Sequence, residues 1–308
     1  GAIASMMRSF AEWDAHPQGR AVAGLPLVTM RRIGDAPPVA MAAGTRPLSG
    51  VRVLDLTRII AGPVCRRCLA AHGADVLLVT SRHLPMVAPL VIDTGRGKLS
   101  CELDLRNPAG RARIEELLGD ADVLVQGYRP GAIAGLGLSP ERAAAIRPGI
   151  VYVSLSAYGH EGPWRDRRGF DSIVQTASGI NLEEARAAGV EGPKPLPCQA
   201  LDHASGYLMA FGATMALARR RREGGSWQIR VALARTGRWL RELGRLDDGF
   251  SRAIPAREEI SDLLETTASG FGALSAVRHA ARLSATPAGW QRPSVPLGTH
   301  APAWPSIG

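Results

Sequence analysis

The sequence predicts an α/β protein built around an open parallel sheet. Five short runs rich in valine, leucine and isoleucine recur between residues 51 and 156, and helical stretches separate several of them. This alternation is typical of βαβ units, in which a helix carries the chain back across the sheet. The 308 residues, 45% of them hydrophobic and 21% charged, suffice for a sizeable core in one large domain with appendages, or in two domains.

Each predicted element has a local signal. Pro63 opens a helix that ends near Gly73, because proline is favoured in the first turn of a helix and glycine just past its end. Asn107 and Pro108 supply the cap and first position of a helix that runs to Gly119. The predicted strands are residues 51–57, 75–80, 99–105, 122–126 and 150–156.

The charge favours a small anionic ligand over a nucleic acid. Lys and Arg number 37 against 28 Asp and Glu, and the basic residues are mostly arginine, which suits phosphate and carboxylate groups. Only 5% of residues are aromatic, so few side chains are present on which nucleic-acid bases could stack. The run from Arg219 to Arg222 is expected to be a solvated helix end. No run of about 18 apolar residues predicts a membrane span, and no apolar signal segment opens the chain.

The four cysteines predict neither a disulfide framework nor a metal site. Cys65 and Cys68 have the CxxC spacing of a redox pair or of half a zinc site, but no second ligand pair of similar spacing exists. The spacing does not exclude redox chemistry, but two small residues on one helix face are the favoured explanation of the pair. The separation of the cysteines favours a reducing, cytoplasmic setting.

The chain is organised around residues 197–206, which lead into an apolar helical run. Asp202 lies where this loop becomes a helix, so its carboxylate can cap the helix or face a ligand. Gly, Pro and Arg recur in the loops that follow the predicted strands, at residues 57–63, 127–131 and 157–170. These loops share the carboxyl edge of the sheet, where they would suit a phosphate-bearing ligand. No GxGxxG motif follows the first strand, so a dinucleotide site is not supported.

Several blocks in fixed order resemble the family III CoA-transferases, which include formyl-CoA transferase, carnitine CoA-transferase and the related alpha-methylacyl-CoA racemases. The resemblance extends over residues 47–240 and continues loosely at 278–279 and 296–300. The blocks are residues 47–57, 61–63, 73–76, 101–105, 121–125, 129–131, 136–138, 169–171 and 200–202.

The resemblance implies a Rossmann-like large domain at residues 47–245 with a reduced or rearranged small domain. Residues 1–46 are then an extension or a small-domain remnant, and residues 246–308 return to the large domain. It also implies an interlocked homodimer, no tightly bound cofactor, no membrane or nucleic-acid partner, and an acyl-CoA with a carboxylic acid acceptor as substrates. The CoA-binding positions implied are Arg58, Ile59, Ala61, Leu103, Arg106, Tyr128, Arg129 and Arg168.

The resemblance further identifies Asp202 as the catalytic nucleophile. A carboxylate with an ordinary pKa of about 3.9 is ionised at neutral pH and needs no base. Its attack on an acyl-CoA would give a mixed anhydride, and the returning thiolate would give an aspartyl-CoA thioester.

Three alternatives stay open. The chain could be a CoA-binding paralogue without turnover, or one half of a larger transferase. It could also be a racemase, although Phe170 stands where the racemases have a proton-transferring histidine. His203 is a weaker acid or base candidate, and Asp171 is expected to cap a helix over residues 172–178. A glycine-rich loop that covers the aspartate in several transferases could correspond to Gly224 and Gly225 or to residues 269–272.

Overall fold

The computed structural model describes residues 4–305 and confirms the predicted α/β, Rossmann-like architecture. Nine strands form one large sheet and one small hairpin within that range. They are β1 (Thr29–Gly34), β2 (Arg52–Asp55), β3 (Asp75–Thr80), β4 (Lys98–Glu102), β5 (Val123–Gln126), β6 (Val151–Ser156), β7 (Ser226–Ala232), β8 (Leu264–Ser269) and β9 (Gly272–Val277).

The large sheet has seven strands in the order β1, β7, β6, β5, β2, β3, β4. All neighbouring pairs are parallel except β1 and β7, which are antiparallel. Strands β8 and β9 form a separate antiparallel hairpin. The helices are α1 (Phe10–Ala15), α2 (Pro17–Ala23), α3 (Ala61–Ala71), α4 (Ala88–Thr94), α5 (Pro108–Gly119), α6 (Pro140–Ile146), α7 (Asp171–Ala177), α8 (Ile180–Ala188), α9 (Ala200–Glu223) and α10 (Leu233–Glu242).

The core lies on both faces of the sheet. Val53 packs in the apolar cluster that includes residues of α3 and α9, whereas its neighbour Leu54 packs in the cluster that includes α5 and α6. Successive side chains of a strand point to opposite faces, so a sheet covered on both sides needs continuous apolar runs. This requirement explains why the central strands were readable in the sequence.

The sheet extends beyond the strands that the sequence predicts. Strand β7 pairs with β6, and β1 pairs with β7 from Thr29 opposite Arg230. Residues upstream of position 47 therefore supply an edge strand of the main sheet. The division into residues 1–46, 47–245 and 246–308 stays a prediction.

Two expected features are wrong in detail. Strand β4 ends at Glu102 instead of continuing to residue 105, and Leu103 and Leu105 pack half-buried against the α5 side of the core. The arginine run at the end of α9 is not uniformly solvated. Arg220 is buried, and its guanidinium lies 3.0 Å from Asp122 Oδ1 and 3.2 Å from the Gly149 carbonyl oxygen.

The chain beyond α10 contacts the large sheet again. The His300 amide donates to the Ser100 carbonyl at 2.8 Å, and the Trp304 indole donates to the Leu117 carbonyl at 3.0 Å. The Trp290 indole donates to the Arg67 carbonyl in α3 at 3.0 Å. Among the described helices, none has the length and apolarity needed to cross a membrane.

Candidate active site

Asp202 lies at the edge of the sheet where the parallel strands end. It is the third residue of α9, only 8% exposed, and it lines a cavity of about 280 Å³. The loops after β2, β5 and β6 and the start of α10 surround this cavity. Open parallel sheets bind ligands at this edge because the connecting loops diverge there. The walls are formed by residues 56–62, 127–130, 132, 155–157, 167–170, 202 and 233.

Asp202 does not cap α9, because another carboxylate does so. The Asp202 amide, one of the first-turn donors without an intrahelical partner, donates to Asp171 Oδ2 at 2.8 Å. Gln175 donates from its side-chain amide to Asp171 Oδ1, and the Leu196 amide donates to Gln175 Oε1. The expectation that Asp171 caps its own helix is therefore wrong. Helix α7 begins at Asp171, and Phe170 occupies its cap position without a side-chain bond.

Burial changes the charge of Asp202. Desolvation, with a smaller contribution from the Asp171 charge, raises the pKa of Asp202 from its usual 3.8 to about 7. Burial also raises the pKa of Asp171, against the lowering effect of its hydrogen bonds. Asp202 thus retains its proton to a much higher pH than an ordinary aspartate, which is fully ionised at neutral pH. The assumption of an ordinary pKa, made from the sequence, is wrong for this reason.

The start of α3 faces Asp202 across a close helix contact. A Cβ on Gly206 of α9 would lie 2.5 Å from the Ala61 carbonyl oxygen and 2.7 Å from Val64 Cβ. Because Asp202 precedes Gly206 by four residues, both lie on the same face of α9. The absence of a side chain at Gly206 therefore brings the Asp202 carboxyl up to the first turn of α3.

The loop that leads into α3 is tightly held. Thr57 donates to Asp55 Oδ1 through its amide at 2.8 Å and its hydroxyl at 2.6 Å, and Asp55 pairs with the buried Arg66. Ile59, in the wall of the cavity, has a φ of 74°, a left-handed conformation that costs a β-branched residue about 1–3 kcal/mol. The loop is thus fixed in a strained shape by the contacts around it.

Exposed arginines surround the cavity. Arg58, Arg129 and Arg168 all contribute to its wall, and all are exposed. The Arg58 guanidinium reaches the Pro85 carbonyl oxygen at 3.3 Å, whereas Arg129 and Arg168 make no salt bridge with any residue from 4 to 305. Several uncompensated guanidinium groups at one opening favour an anionic ligand.

The cavity brings together most of the residues that the sequence singles out. Asp202 shares it with Arg58, Ile59, Ala61, Tyr128, Arg129 and Arg168. Leu103 and Arg106 do not line it. Arg106 is exposed and binds Asp104 through two guanidinium nitrogens at 2.8 and 2.7 Å.

The other candidates lie elsewhere or lack the needed chemistry. His203 faces a different cleft, between α3, α9 and β9, where burial lowers its pKa. Phe170 lines the cavity but has no proton to transfer. Gly224 lies about 33 Å from Asp202 at the opposite end of α9, by the rise of a helix. It cannot cover the aspartate, and the turn at 269–272 packs near Pro296.

Two wall residues that sequence reasoning did not single out are Arg167, which lies in the predicted ligand loop at 157–170, and Leu233. Arg167 stacks its guanidinium 4.3 Å from the Trp164 ring centroid, and Leu233 follows the unpredicted strand β7. The basic stretch beside Arg168 was the available signal for Arg167. No signal in the sequence indicated Leu233, because strand β7, which precedes it, was not predicted.

Comparisons with known proteins identify the family of the chain. The family model for "CoA-transferase family III" matches residues 48–264. The chain is 34% identical over 216 residues to acetyl-coenzyme A transferase nodX of Hypoxylon pulicicidum, covering 68% of this chain and 36% of that protein. It is 34% identical over 184 residues to the succinyl-CoA:glutarate CoA-transferase of Mus musculus, covering 56% of this chain and 41% of that protein.

A solved structure supports the fold. The crystal structure of Rv3272 from M. tuberculosis aligns with a TM-score of 0.69 at 22% identity, covering 83% of this chain and 98% of that one. In sequence, the chain is 32% identical over 201 residues to Rv3272, described as a probable fatty acyl-CoA transferase, covering 61% of this chain and 50% of that protein. The chain thus spans about a third to a half of the length of these curated relatives.

Proposed function

Because the chain belongs to CoA-transferase family III, we propose that it moves CoA from an acyl-CoA to a carboxylic acid, with Asp202 as the nucleophile. The observation that carries this proposal is a buried carboxyl group in a cavity whose wall contains exposed arginines. The name of the mouse relative pairs an acyl-CoA with a dicarboxylic acid, which supports a carboxylate acceptor.

The proposed reaction exchanges one carboxylate for another while keeping a thioester. An Asp202 oxygen attacks the acyl carbonyl, the carbon–sulfur bond breaks, and CoA leaves as a thiolate. The thiolate then attacks Cγ of Asp202 in the mixed anhydride, which releases the first acid and leaves an aspartyl-CoA thioester. The acceptor carboxylate attacks Cγ of this thioester, the carbon–sulfur bond breaks to release the CoA thiolate again, and a second anhydride forms. The thiolate finally attacks the acceptor carbonyl, which frees the new acyl-CoA and restores Asp202.

The cavity wall suggests how each part of the substrate would be held. Arg58, Arg129 and Arg168 would bind the phosphates of CoA, while Ile59, Ala61 and Tyr128 would contact its thiol arm. The amides of Ala61 and Gly62, in the first turn of α3, are the candidate donors for the oxyanion of the anhydride steps, since both residues line the cavity with Asp202. Leu103 and Arg106 stay predicted contacts for the nucleotide end.

The test is to trap the covalent intermediate. A thermal-shift screen of CoA thioesters would first identify a donor, since a ligand that binds only the native state raises its stability. Hydroxylamine added with this donor should convert the aspartyl thioester into a hydroxamate, which peptide mass analysis would locate at Asp202. The Asp202→Asn variant should bind the donor without gaining the label.

The same experiment separates the alternatives. Donor binding with no label on any carboxylate would favour a CoA-binding protein without turnover. Exchange of the α-hydrogen of the donor in heavy water, with no acceptor acid present, would favour racemase chemistry. A label on a carboxylate other than Asp202 would refute the assignment of the nucleophile.

A further inference from the structure

A second cluster of reactive side chains lies at the far end of α3 from the cavity. Cys68, His72 and His279 each place one potential ligand atom, Sγ or a ring nitrogen, within 4.8 Å of the other two. From this juxtaposition and two orphaned imidazole nitrogens, we propose that the three residues bind a thiophilic divalent cation, Zn²⁺, and thereby fasten the β8–β9 hairpin region to α3.

The fold, and not the local sequence, assembles this trio. Cys68 and His72 are four residues apart at the end of α3, so they share one face of the helix. His279 follows β9 and comes from about two hundred residues further along the chain. Cys65, the other half of the CxxC motif, is fully buried in the core beside the sheet. The CxxC spacing pairs Cys68 with Cys65, whereas the fold places Cys68 beside His72 and His279.

The hydrogen bonds of the two histidines point to a missing ligand. His72 Nδ1 and His279 Nε2 are both buried, and neither finds a hydrogen-bond partner within the described residues. A buried polar atom without a partner costs about 1–3 kcal/mol, so two on rings that pack against each other are unusual. A shared cation would satisfy both nitrogens at once.

Ring packing alone does not explain the cluster. The His72 and His279 rings meet edge to face with centroids 5.0 Å apart, and Trp290 lies 6.1 Å from His279. Such contacts bury rings favourably, but they do not require a thiol as the third group. They also leave both orphaned nitrogens unsatisfied.

The chemistry of the trio selects the kind of cation. One sulfur and two imidazole nitrogens suit Zn²⁺, whereas Mg²⁺ and Ca²⁺ require oxygen ligands. Zinc bonds of about 2.0–2.3 Å require a small inward movement of the three side chains from their present spacing. Three protein ligands leave a fourth position for a solvent molecule.

The surroundings supply an outer contact and a route. His279 Nδ1 lies 3.2 Å from the Ala281 amide nitrogen and 3.3 Å from the Ala281 carbonyl oxygen. Nε2 can bind the cation in the tautomer whose Nδ1 proton is donated to that carbonyl. His279 also lines a cleft of about 650 Å³, which reaches Arg67 and Trp290 and gives the cation access. The nearby Arg46 is engaged by the carbonyl oxygens of Ala71 and Gly289.

Metal titration of the tag-free chain tests the site. After treatment with a chelator, Co²⁺ is added as a spectroscopic probe, followed by Zn²⁺ in competition. We expect one equivalent of Co²⁺ to produce a thiolate-to-cobalt charge-transfer band, which Zn²⁺ then abolishes. One equivalent of Zn²⁺ should also raise the melting temperature.

Matched variants decide which residues bind. Cys68→Ser should lose the band, and His279→Gln should weaken Co²⁺ binding at least tenfold. Cys65→Ala and Cys198→Ser should keep both band and affinity, with circular dichroism reporting the fold of every variant. Failure of the wild-type chain to bind either cation would overturn the proposal. Loss of the band in Cys65→Ala, or its survival in folded Cys68→Ser, would also overturn the trio.

Discussion

Asp202 and Asp171 are neighbouring buried residues, and a hydrogen bond from the Asp202 amide to the Asp171 carboxylate links them. The Asp171 carboxylate accepts the Asp202 amide and also disfavours a charge on the Asp202 side chain. One residue therefore positions the proposed nucleophile and tunes its ionisation. The two effects can be separated by experiment.

The raised pKa of Asp202 predicts a pH-dependent gain in stability for Asp202→Asn. The pKa rises from 3.8 in the unfolded chain to about 7 in the folded one, so the folded state holds the proton more tightly. The contribution of Asp202 to the free energy of unfolding of the wild type is therefore fully present below about pH 4. It is lost progressively as the pH rises toward 7. By linkage the loss is on the order of 4 kcal/mol. The side-chain amide of the Asp202→Asn variant cannot ionise, so the variant does not lose this stability.

Urea unfolding at several pH values measures this effect. The stability of Asp202→Asn relative to wild type should grow between pH 4 and 8 and then level off. Asp247→Asn, which changes an exposed carboxylate, should show no such trend. A difference independent of pH would contradict the buried, proton-retaining state of Asp202.

A second residue-level prediction concerns Asp171→Asn. Removal of the Asp171 charge should lower the pKa of Asp202, because that charge is one cause of its rise. The rising limb of kcat against pH should then move to lower pH by about half a unit to one unit. Asp166→Asn, an exposed change on the preceding loop, serves as the control. An unmoved limb in Asp171→Asn would show that Asp171 has only a structural role.

At the scale of single residues, the sequence predicted which side chains could be functional better than it predicted which residues they contact. Asp202 and the arginines were singled out because blocks of the sequence keep the order of the family that the chain resembles. The bond from Asp202 to Asp171 joins residues 31 positions apart, and no local rule predicts it. The raised pKa of Asp202 follows from burial and from that neighbour, so it required the structure.

Among the elements, the crossing of α3 and α9 determines the site. Gly206 allows the Ala61 carbonyl and Val64 to approach α9, and this approach brings Asp202 to the start of α3. Close packing of this kind tolerates no additional methyl group without movement of a helix.

Gly206→Ala should therefore destabilise the protein and impair catalysis. Overpacking typically costs about 1–3 kcal/mol, and separation of the two helices should lower kcat more than donor binding. Gly119→Ala is the control, since a Cβ at the end of α5 meets nothing within 4 Å. Thermal unfolding and steady-state kinetics would check both. Equal stability of Gly206→Ala and wild type would contradict the described contact.

Helices and strands with a clear local sequence signal were predicted well. Strands that mix polar with apolar residues were not. Residues 75–80 form a strand as expected, because an apolar run is buried on both faces of the sheet. Strand β7 was missed because it carries Gln228 and Arg230 among its apolar residues. Gln228 is nevertheless buried, and the edge-strand Arg31 donates to it at 3.1 Å. That bond exists only after β1 joins the sheet.

At the scale of the whole molecule, α9 runs from the carboxyl ends of the parallel strands to their amino ends. Asp202 lies at its start in the cavity, and Arg220 lies near its end, where it binds Asp122 just before β5. The parallel order of the sheet was predictable from the alternation of helices and strands. The antiparallel β1 was not, because it arrives from a segment that reads as an irregular extension.

The buried ion pair at the end of α9 gives a global prediction. Arg220→Met should destabilise the fold by about 3–5 kcal/mol, since it leaves the mostly buried Asp122 less compensated. Arg221→Met, at an exposed position of the same helix, should change stability little. Chemical denaturation would measure both. The double variant with Asp122→Asn should recover part of the loss, and no recovery would contradict pairing as the cause.

The length of α9 also limits how this chain can change in evolution. The 19 residues from Asp202 to Arg220 form one uninterrupted stretch of helix, so a single inserted residue would rotate one end by about 100° relative to the other. Either the carboxyl group would leave its cavity or the guanidinium would leave its partner. Insertions and deletions should therefore be absent from this segment in active homologues, and should accumulate instead in the exposed stretch after α10.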